Sequence, residues 1–303
     1  MNAVLIVDKP QGFTSHDVVH RVRKILGERS VGHLGTLDPP ATGVLPLVTG
    51  SLTRLAQFYL HSEKSYEGII RFGFATDTYD GDGEPVGTAR PVEFGIDELR
   101  RQADRFVGSI QQLPPPFSAK KVDGTRAYKL ARKKQPVALE PVTVEIKEFE
   151  IASLEGHHAA FRARVASGTY MRSIAHDLGM QIGCGAHLAS LRRTAVAEFG
   201  IADAHTLEEI EIASRKGSVE DLFVHPRRLM PQFPSVVATD ETAAMIVHGR
   251  AVNLPEMSRA PLVKVFYGQK SLIAMATRIA GTLFHARIVF LEPSAREVAV
   301  RGR

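Results

Sequence analysis

Residues 32–46 read GHLGTLDPPATGVLP, and this stretch is the most informative part of the chain. It places one carboxylate, Asp38, in a segment dense with glycine and proline. Because these residues break helices and strands, we expect the backbone to turn repeatedly here. Pro39 pushes Asp38 towards an extended conformation, since its ring crowds the preceding residue. A stiff loop that holds one acid suits nucleophilic or general-base chemistry, whereas an isolated Asp-Pro pair more often only closes a turn.

The composition is that of a globular protein with an anionic partner. The chain has 303 residues, 44% of them hydrophobic, and a formal net charge of +5. No apolar run approaches the ~20 residues that a membrane-spanning helix needs, and the first residues lack a secretory pattern. The single cysteine, Cys184, excludes an internal disulfide and thiolate metal cages. We therefore expect a cytoplasmic protein, without a membrane segment and without a metal site.

A cluster of positive charge lies between residues 120 and 134, where the only acid is Asp123. Tyr128 lies among the cations, and an aromatic ring between positive charges can stack on nucleic-acid bases. Such a run is as often a solvated helix face as a phosphate-binding element, and the charge alone does not decide between them. The cations are Lys120, Lys121, Arg126, Lys129, Arg132, Lys133 and Lys134.

Strand and helix patterns alternate irregularly, which favours an α+β fold over a doubly wound sheet. A helix begins at Ser15, its predicted N-cap, and ends at Gly27. The acidic segment 77–83 fails the calcium-loop register, because Ala89 stands at position twelve, and is interpreted as a hairpin loop. Further helices are predicted at 52–60, 96–107, 173–182 and 241–247, and strands at 4–7, 66–74, 142–146, 161–165, 262–266, 272–276 and 287–291.

The chain is predicted to form two domains. Pro226, Pro231 and Pro234 interrupt a segment with little periodicity, so we place the boundary near residue 233. Residues 1–232 form the first domain, and the short apolar strands of 233–303 indicate a small barrel. An insertion at about 110–136 is long for a structureless connection, which indicates a binding element.

The stretch 32–46 resembles the signature of the bacterial tRNA pseudouridine-55 synthases, the TruB family. Every fixed position of Gly-His-x-Gly-x-Leu-Asp-Pro-x-Ala-Thr-Gly-x-Leu-Pro is filled. The resemblance implies a large mixed, mainly antiparallel sheet flanked by helices, followed by a PUA-like β-barrel that binds RNA. It implies an isomerase that converts the uridine at position 55, in the T-loop of tRNA, to pseudouridine after base flipping. The reaction needs no cofactor, and the expected enzyme is a monomer without an obligate protein partner.

The same resemblance assigns roles to individual residues. Asp38 is the expected catalytic carboxylate, and Arg172, in the Gly-Thr-Tyr-x-Arg motif, is expected beside it. Tyr66 is expected to stack on the target base and to accept the proton from C5, although by its pattern alone it equally fits a core aromatic. The expected substrate-binding residues are His33, Tyr170, Leu191, Lys9, Lys121 and Arg126.

Two other functions fit the same residues. One is a guide-RNA-dependent relative, the catalytic subunit of a ribonucleoprotein that works with protein partners. The other is an RNA-binding protein or tRNA-folding chaperone that retains a synthase scaffold. The basic insertion favours the stand-alone enzyme, and intact Asp38, Tyr66 and Arg172 argue against a loss of chemistry.

Overall fold

The computed structural model describes residues 1–118, 120–122, 124–127 and 139–290. Within these ranges, no helix is both long and apolar enough to cross a membrane. The α-helices are α1 (Ser15–Leu26), α2 (Ala56–Tyr59), α3 (Ile96–Ala103), α4 (Met171–Ile182), α5 (Leu207–Arg215) and α6 (Asp240–Val247). The strands are β1 (Val4–Lys9), β2 (Val31–His33), β3 (Thr42–Thr49), β4 (Lys64–Phe72), β5 (Ala75–Thr76), β6 (Pro85–Val86), β7 (Gly108–Gln112), β8 (Lys121–Val122), β9 (Thr125–Arg126), β10 (Val142–Glu155), β11 (His158–Val165), β12 (Ala186–Val196), β13 (Phe199–Gly200), β14 (Ser235–Ala238), β15 (Val252–Asn253), β16 (Leu262–Tyr267), β17 (Ser271–Ala280) and β18 (Leu283–Val289).

The fold is α+β, as the irregular pattern predicted, and its centre is a large mixed sheet. The strand order is β1-β3-β12-β4-β11-β10-β7, with β2 paired to β3 and β13 paired to β12. β12 runs parallel to β3, and the other strand pairs of this sheet are antiparallel within the described residues. Helices pack against the sheet, and the long strands β4, β11 and β12 form its middle. The site described below lies around this middle.

Several element boundaries differ from the sequence predictions. Thr14, not Ser15, is the N-cap of α1: its hydroxyl accepts from the Asp17 amide, and the Asp17 carboxylate accepts from the Thr14 amide. This reciprocal pair is a capping box, which satisfies two amides that Ser15 would leave free. The predicted helix 52–60 is a 3-10 helix, Gly50–Leu55, followed by α2. The basic residues after Ala127, Tyr128 among them, and the final residue of the predicted strand 287–291 lie outside the described ranges.

A second, five-stranded sheet follows from Ser235, with the order β14-β16-β17-β18-β15. It packs directly on the first part of the chain, because one apolar cluster takes residues from both sides. Lys264, which is buried, also donates from Nζ to the backbone carbonyl oxygen of Leu229 at 2.7 Å. The cluster combines Leu52, Leu55, Tyr59, Val196, Phe199, Leu229 and Met230 with Leu262, Phe266, Leu272, Met275, Ile288 and Phe290.

One row of residues crosses three neighbouring strands of the large sheet. Gly43 of β3 pairs with Arg193 of β12, which in turn pairs with Tyr66 of β4. The contact between β3 and β12 is close: a Cβ on Gly43 would lie 2.2 Å from the backbone oxygen of Arg193. Gly43 also has φ +100°, a conformation that side chains with a Cβ rarely adopt. Glycine is therefore required for β3 to reach β12.

We predict that Gly43→Ala lowers the free energy of unfolding by at least about 2 kcal/mol, through both backbone strain and the clash with Arg193. Gly108→Ala is the matched control, since Gly108 has φ +107° and no atom within 4 Å of the added Cβ. Chemical denaturation measures how far each substitution lowers the free energy of unfolding. If Gly43→Ala and Gly108→Ala lower the free energy of unfolding equally, the contact between β3 and β12 tolerates a methyl group.

Candidate active site

Asp38 lies in the loop between β2 and β3, and this loop is anchored on both sides of the carboxylate. Before it, the Leu37 amide donates to the Ser15 hydroxyl at 2.9 Å, and that hydroxyl lies 3.1 Å from the Leu37 carbonyl oxygen. After it, Lys9 donates from Nζ to the Pro39 carbonyl oxygen at 3.1 Å. The loop therefore has little freedom at Asp38, as catalytic positioning requires.

Lys9 lies beneath the loop rather than in the cavity. Its ammonium group donates to the carbonyl oxygens of Pro10, Phe13 and Pro39, and its side chain is fully buried. Burial lowers the pKa of Lys9 to about 8, although Asp38 acts in the opposite direction. Three carbonyl oxygens and a nearby carboxylate offset the cost of burying the charge. The residue predicted to bind substrate thus has its hydrogen bonds with the protein itself.

A guanidinium group joins Asp38 to a second carboxylate. Arg172 Nη2 lies 2.9 Å from Asp38 Oδ2, and its Nη1 lies 3.5 Å from Asp80 Oδ2. The same group donates to the carbonyl oxygens of Thr78 and Phe117. The Arg172 side chain is only 7% exposed, whereas that of Asp38 is 42% exposed. Asp38 is therefore oriented by a buried cation while its carboxylate faces open space.

Asp80 was missed by the sequence analysis, which interpreted residues 77–83 as a hairpin loop. The loop does connect the paired strands β5 and β6. However, it also docks on β12, where the Gly81 amide donates to the Leu188 carbonyl oxygen at 3.1 Å. This docking brings Asp80, whose side chain is 11% exposed, to Arg172. The spacing of residues along the chain carries no signal of it, because 92 positions separate the two partners.

A cavity of about 310 Å³ lies above the Asp38–Arg172 pair. Its volume falls in the range of small-ligand pockets, ~300–1,000 Å³. Five of the residues predicted from the sequence line it together: Asp38, Tyr66, Tyr170, Arg172 and Leu191. The other lining residues are Gly35, Thr36, Leu37, Lys64, Ser118, Gly168, Thr169 and Met171.

Tyr66 and Lys64 enter the cavity from the start of β4. Burial raises the pKa of the Tyr66 phenol, and the neighbouring Arg193 acts in the opposite direction. Burial, together with the charge of Arg193, lowers the pKa of Lys64 to about 8. Lys64 is not among the residues predicted from the sequence, although it stands two residues before Tyr66 on the same strand and so shares its face.

Tyr170 is held where the chain enters α4. Its amide donates to Gln112 Oε1 at 2.8 Å, and Gln112 Nε2 donates back to the Tyr170 carbonyl oxygen at 3.1 Å. This two-way contact with β7 fixes the N-terminus of the helix, and so the direction in which Arg172 leaves it. Burial raises the pKa of the Tyr170 phenol, which is therefore neutral near neutral pH.

Among the predicted residues whose side chains the structure describes, His33, like Lys9, does not line this cavity. His33 ends β2, where its ring meets that of His16 edge to face at 5.9 Å, and burial lowers its pKa. Lys121 and Arg126 pair across the short hairpin of β8 and β9. They belong to the insertion that the sequence predicts to bind RNA, and that role stays a prediction.

No group of three or more His, Cys, Asp or Glu side chains is placed to hold a metal ion within the part of the chain that the structure describes. In the acidic loop 77–83, two of the three carboxylates have other partners. Asp80 faces Arg172, and Asp77 Oδ1 accepts from the Glu84 amide at 2.9 Å.

Comparison with known protein families places this site in context. A family model described as TruB family pseudouridylate synthase (N terminal domain) matches residues 23–171. A second model, tRNA pseudouridylate synthase B C-terminal domain, matches residues 172–229. The chain is also 47% identical over 292 residues to a tRNA pseudouridine synthase B of Solibacter usitatus (strain Ellin6076), with 95% of this chain and 100% of the relative covered.

The chain belongs to the TruB family of pseudouridylate synthases. It is an isomerase that acts on tRNA and converts uridine to pseudouridine. A further relative, tRNA pseudouridine synthase B of Opitutus terrae (strain DSM 11246 / JCM 15787 / PB90-1), is 47% identical over 211 residues, covering 70% of this chain and 88% of the relative.

Solved structures resemble the chain over nearly its whole length. A chain of a Cbf5-Nop10-Gar1 complex matches with a TM-score of 0.71 and 25% identity, covering 96% of this chain and 86% of the other. A chain of an H/ACA RNP bound to a substrate RNA containing 2′-deoxyuridine matches with a TM-score of 0.70 and 24% identity, covering 96% and 85%. These likenesses confirm the pseudouridine synthase fold.

We predict that Asp80→Asn slows turnover on tRNA about 10- to 100-fold, because the guanidinium of Arg172 loses one of its two ionic anchors and shifts beneath Asp38. Single-turnover kinetics with saturating enzyme measures the rate, and filter binding checks that tRNA affinity is kept. Asp82→Asn, an exposed acid of the same loop, is the control. Equal rates for the two variants would contradict a role for Asp80.

Proposed function

We propose that this enzyme isomerises the uridine at position 55, in the T-loop of tRNA, with Asp38 as the catalytic carboxylate. The observation that carries the proposal is the ion pair between Asp38 and the buried Arg172. Both residues line the same cavity as Tyr66, Tyr170 and Leu191. The signature around Asp38 and the family membership support the same assignment.

The chemistry explains why this carboxylate is held so firmly. Isomerisation breaks the bond from the sugar C1′ to N1 of the base and forms a bond from C1′ to C5. An ionised carboxylate is needed to attack C1′, to attack C6 of the base, or to take a proton from the sugar. In each of these routes Arg172 holds the Asp38 carboxylate in one orientation, because its planar guanidinium pairs with Oδ2 at 2.9 Å.

The target base must leave the RNA stack before it can reach Asp38. Extrusion costs a few kcal/mol, and flat or apolar side chains that hold the flipped base recover part of this cost. Tyr66, Tyr170 and Leu191 line the cavity and are the groups we assign to that task. His33, at the end of β2, is assigned to the space that the flipped base vacates in the RNA.

Recognition of the rest of the tRNA is assigned to two regions. The insertion at about 110–136 carries the basic cluster and includes Lys121 and Arg126. The second sheet, from Ser235, is assigned to a PUA-like module that contacts RNA by shape and phosphates, with the domain boundary near residue 233. The T-arm of tRNA is the proposed partner, and the cytoplasm the proposed location.

A guide-dependent subunit is the second candidate, favoured by the structural likeness to a chain of the Cbf5-Nop10-Gar1 complex. The higher identity to tRNA pseudouridine synthases B over most of their length supports the stand-alone enzyme. We propose that it acts as a monomer without an obligate protein partner. A purified protein that modifies a tRNA transcript without guide or added protein would support the first proposal. Modification only when guide RNA and partner protein are both added would support the guide-dependent subunit. Binding of tRNA without any product would support a chaperone.

We predict that Asp38→Asn lowers the rate of pseudouridine formation below about a thousandth of wild type, because Asn keeps the size but not the charge. Binding of tRNA is expected to stay within a few-fold of wild type. Sequencing of the modified transcript locates the product at the T-loop uridine. Near-normal activity of Asp38→Asn would refute Asp38 as the catalyst, and product at another uridine would refute the proposed position.

We also predict that changing both Lys121 and Arg126 to Ala weakens tRNA binding and reduces the slope of log affinity against log salt by about 1 for each phosphate that the two side chains neutralise. The paired change to Ala of Arg101, in α3, and Arg105, two residues after the end of that helix, is the charge-matched control. Titrations at several salt concentrations measure both slopes. A slope equal to wild type would remove the β8–β9 hairpin from the RNA interface.

A further inference from the structure

Arg193 has the largest fully buried side chain in the described part of the protein. Burying a guanidinium is costly unless another charge or a full set of hydrogen bonds compensates it. Among the residues that the structure describes, no carboxylate forms a salt bridge with Arg193; the acids near the site pair with Arg172 and Arg192 instead. A buried cation without a carboxylate therefore needs a separate explanation.

Part of the explanation lies in the catalytic loop. Arg193 Nε donates to the Val44 carbonyl oxygen at 2.8 Å, Nη1 to that of Thr36 at 3.2 Å, and Nη2 to that of Gly35 at 3.0 Å. These bonds use three of the five N–H groups of the guanidinium. They brace the loop just before Asp38, but carbonyl oxygens alone do not require a full positive charge.

The remaining partner is Tyr66. The two residues are directly opposite each other on β12 and β4, so their side chains lie on the same face of the sheet, where the charge of the guanidinium interacts with the phenol. The hydroxyl is enclosed, since Tyr66 is 8% exposed. The group that faces this phenol is thus a donor that carries a full positive charge.

The last step of the proposed reaction explains why a cation would lie beside the Tyr66 phenol. After the base has rotated and C1′ is joined to C5, the C5–H bond must break: its electron pair restores the ring double bond, and the proton passes to a base. The product gains a proton on N1 from solvent, so the isomerisation is neutral overall. A neutral phenol is a poor proton acceptor, whereas a phenolate is a good one but must be stabilised inside the cavity.

We propose that Arg193 is a positioning residue that acts through Tyr66: its guanidinium donates to the phenol oxygen and stabilises the phenolate that removes the C5 proton. The inference rests on the proposed function, because it assigns Tyr66 as the proton acceptor. The proton taken up by the phenolate returns to solvent before the next turnover. Arg193 thereby links the loop that carries Asp38 to the group that completes the reaction.

A kinetic isotope effect tests the proposal. Single-turnover rates are compared on tRNA transcripts whose uridines carry hydrogen or deuterium at C5. Arg193→Lys keeps the charge but loses the planar fork, so we expect the rate to fall about 10²-fold. Proton removal from C5 then becomes the slow step. The ratio of the rate with hydrogen to the rate with deuterium in Arg193→Lys should therefore be clearly above one, and at least as large as in wild type.

Two comparison variants separate this role from bracing of the loop. Arg172→Lys acts through Asp38, before the C5–H bond breaks, so its slower reaction should show no isotope effect. Arg192→Lys, which changes the neighbouring arginine paired with Asp8 at 2.7 Å, should leave the rate and the isotope effect at wild-type values. The proposal is overturned if Arg193→Lys reacts as fast as wild type, or reacts slowly with an isotope effect at unity or below that of wild type. A wild-type protein that forms no pseudouridine would instead overturn the proposed function.

A second measurement uses the unmutated side chains, in case Arg193→Lys does not fold. NMR of protein labelled at the tyrosine ring carbon that bears oxygen follows the ionisation of each phenol with pH. Tyr59 is the internal control, because burial raises its pKa and the Glu198 carboxylate, to which its hydroxyl donates at 2.6 Å, raises it further. Tyr66 should ionise at lower pH than Tyr59, and ionisation at the same or higher pH would overturn the proposal. The charged or titratable groups that face Tyr66 or line its cavity are Arg193, Asp38, Lys64, Tyr170 and Arg172.

Discussion

The ion pair between Arg172 and Asp38 is the interaction on which the catalytic arrangement depends. A half-exposed carboxylate at the edge of a cavity is free to rotate towards solvent, and its pairing with the buried guanidinium opposes this rotation. Arg172 can do this because it is itself fixed, by Asp80 and by the carbonyl oxygens of Thr78 and Phe117. The chain therefore uses one loop to present the acid and two others to hold its partner.

Several of the cationic side chains around this cavity are buried in the protein. Lys9 supports the loop from below, Lys64 lines the cavity wall, and Arg193 lies fully buried behind Tyr66. Burial lowers the pKa of both lysines to about 8, which shows that their charged forms are held at a cost. Backbone carbonyl oxygens, rather than carboxylates, supply most of the compensation. Because these carbonyls leave the charge in place, the cavity remains attractive to an anionic RNA strand.

The sequence was sufficient for the residues that belong to continuous motifs. Asp38 and its loop, Tyr66 at the start of a strand and Arg172 at the start of a helix could all be predicted, as could the α+β class. Asp80 and Arg193 could not, because their partners are set by loop docking and strand register, which the linear spacing does not encode. The misplaced N-cap is different: the pattern Thr14-x-x-Asp17 was available in the sequence, and a reciprocal cap would have been the better interpretation.

The apolar cluster shared by the two sheets limits how independent they can be. If the second sheet were removed, Leu55, Phe199 and Leu229 would no longer be covered by Phe266 and Met275 and would face water. Newly exposed apolar surface of this kind is unfavourable by roughly 25 cal/mol per Å², so the separated halves would each be less stable than the intact chain. Heating should therefore melt the two sheets together, as a single cooperative unit, despite the division that the sequence pattern indicates.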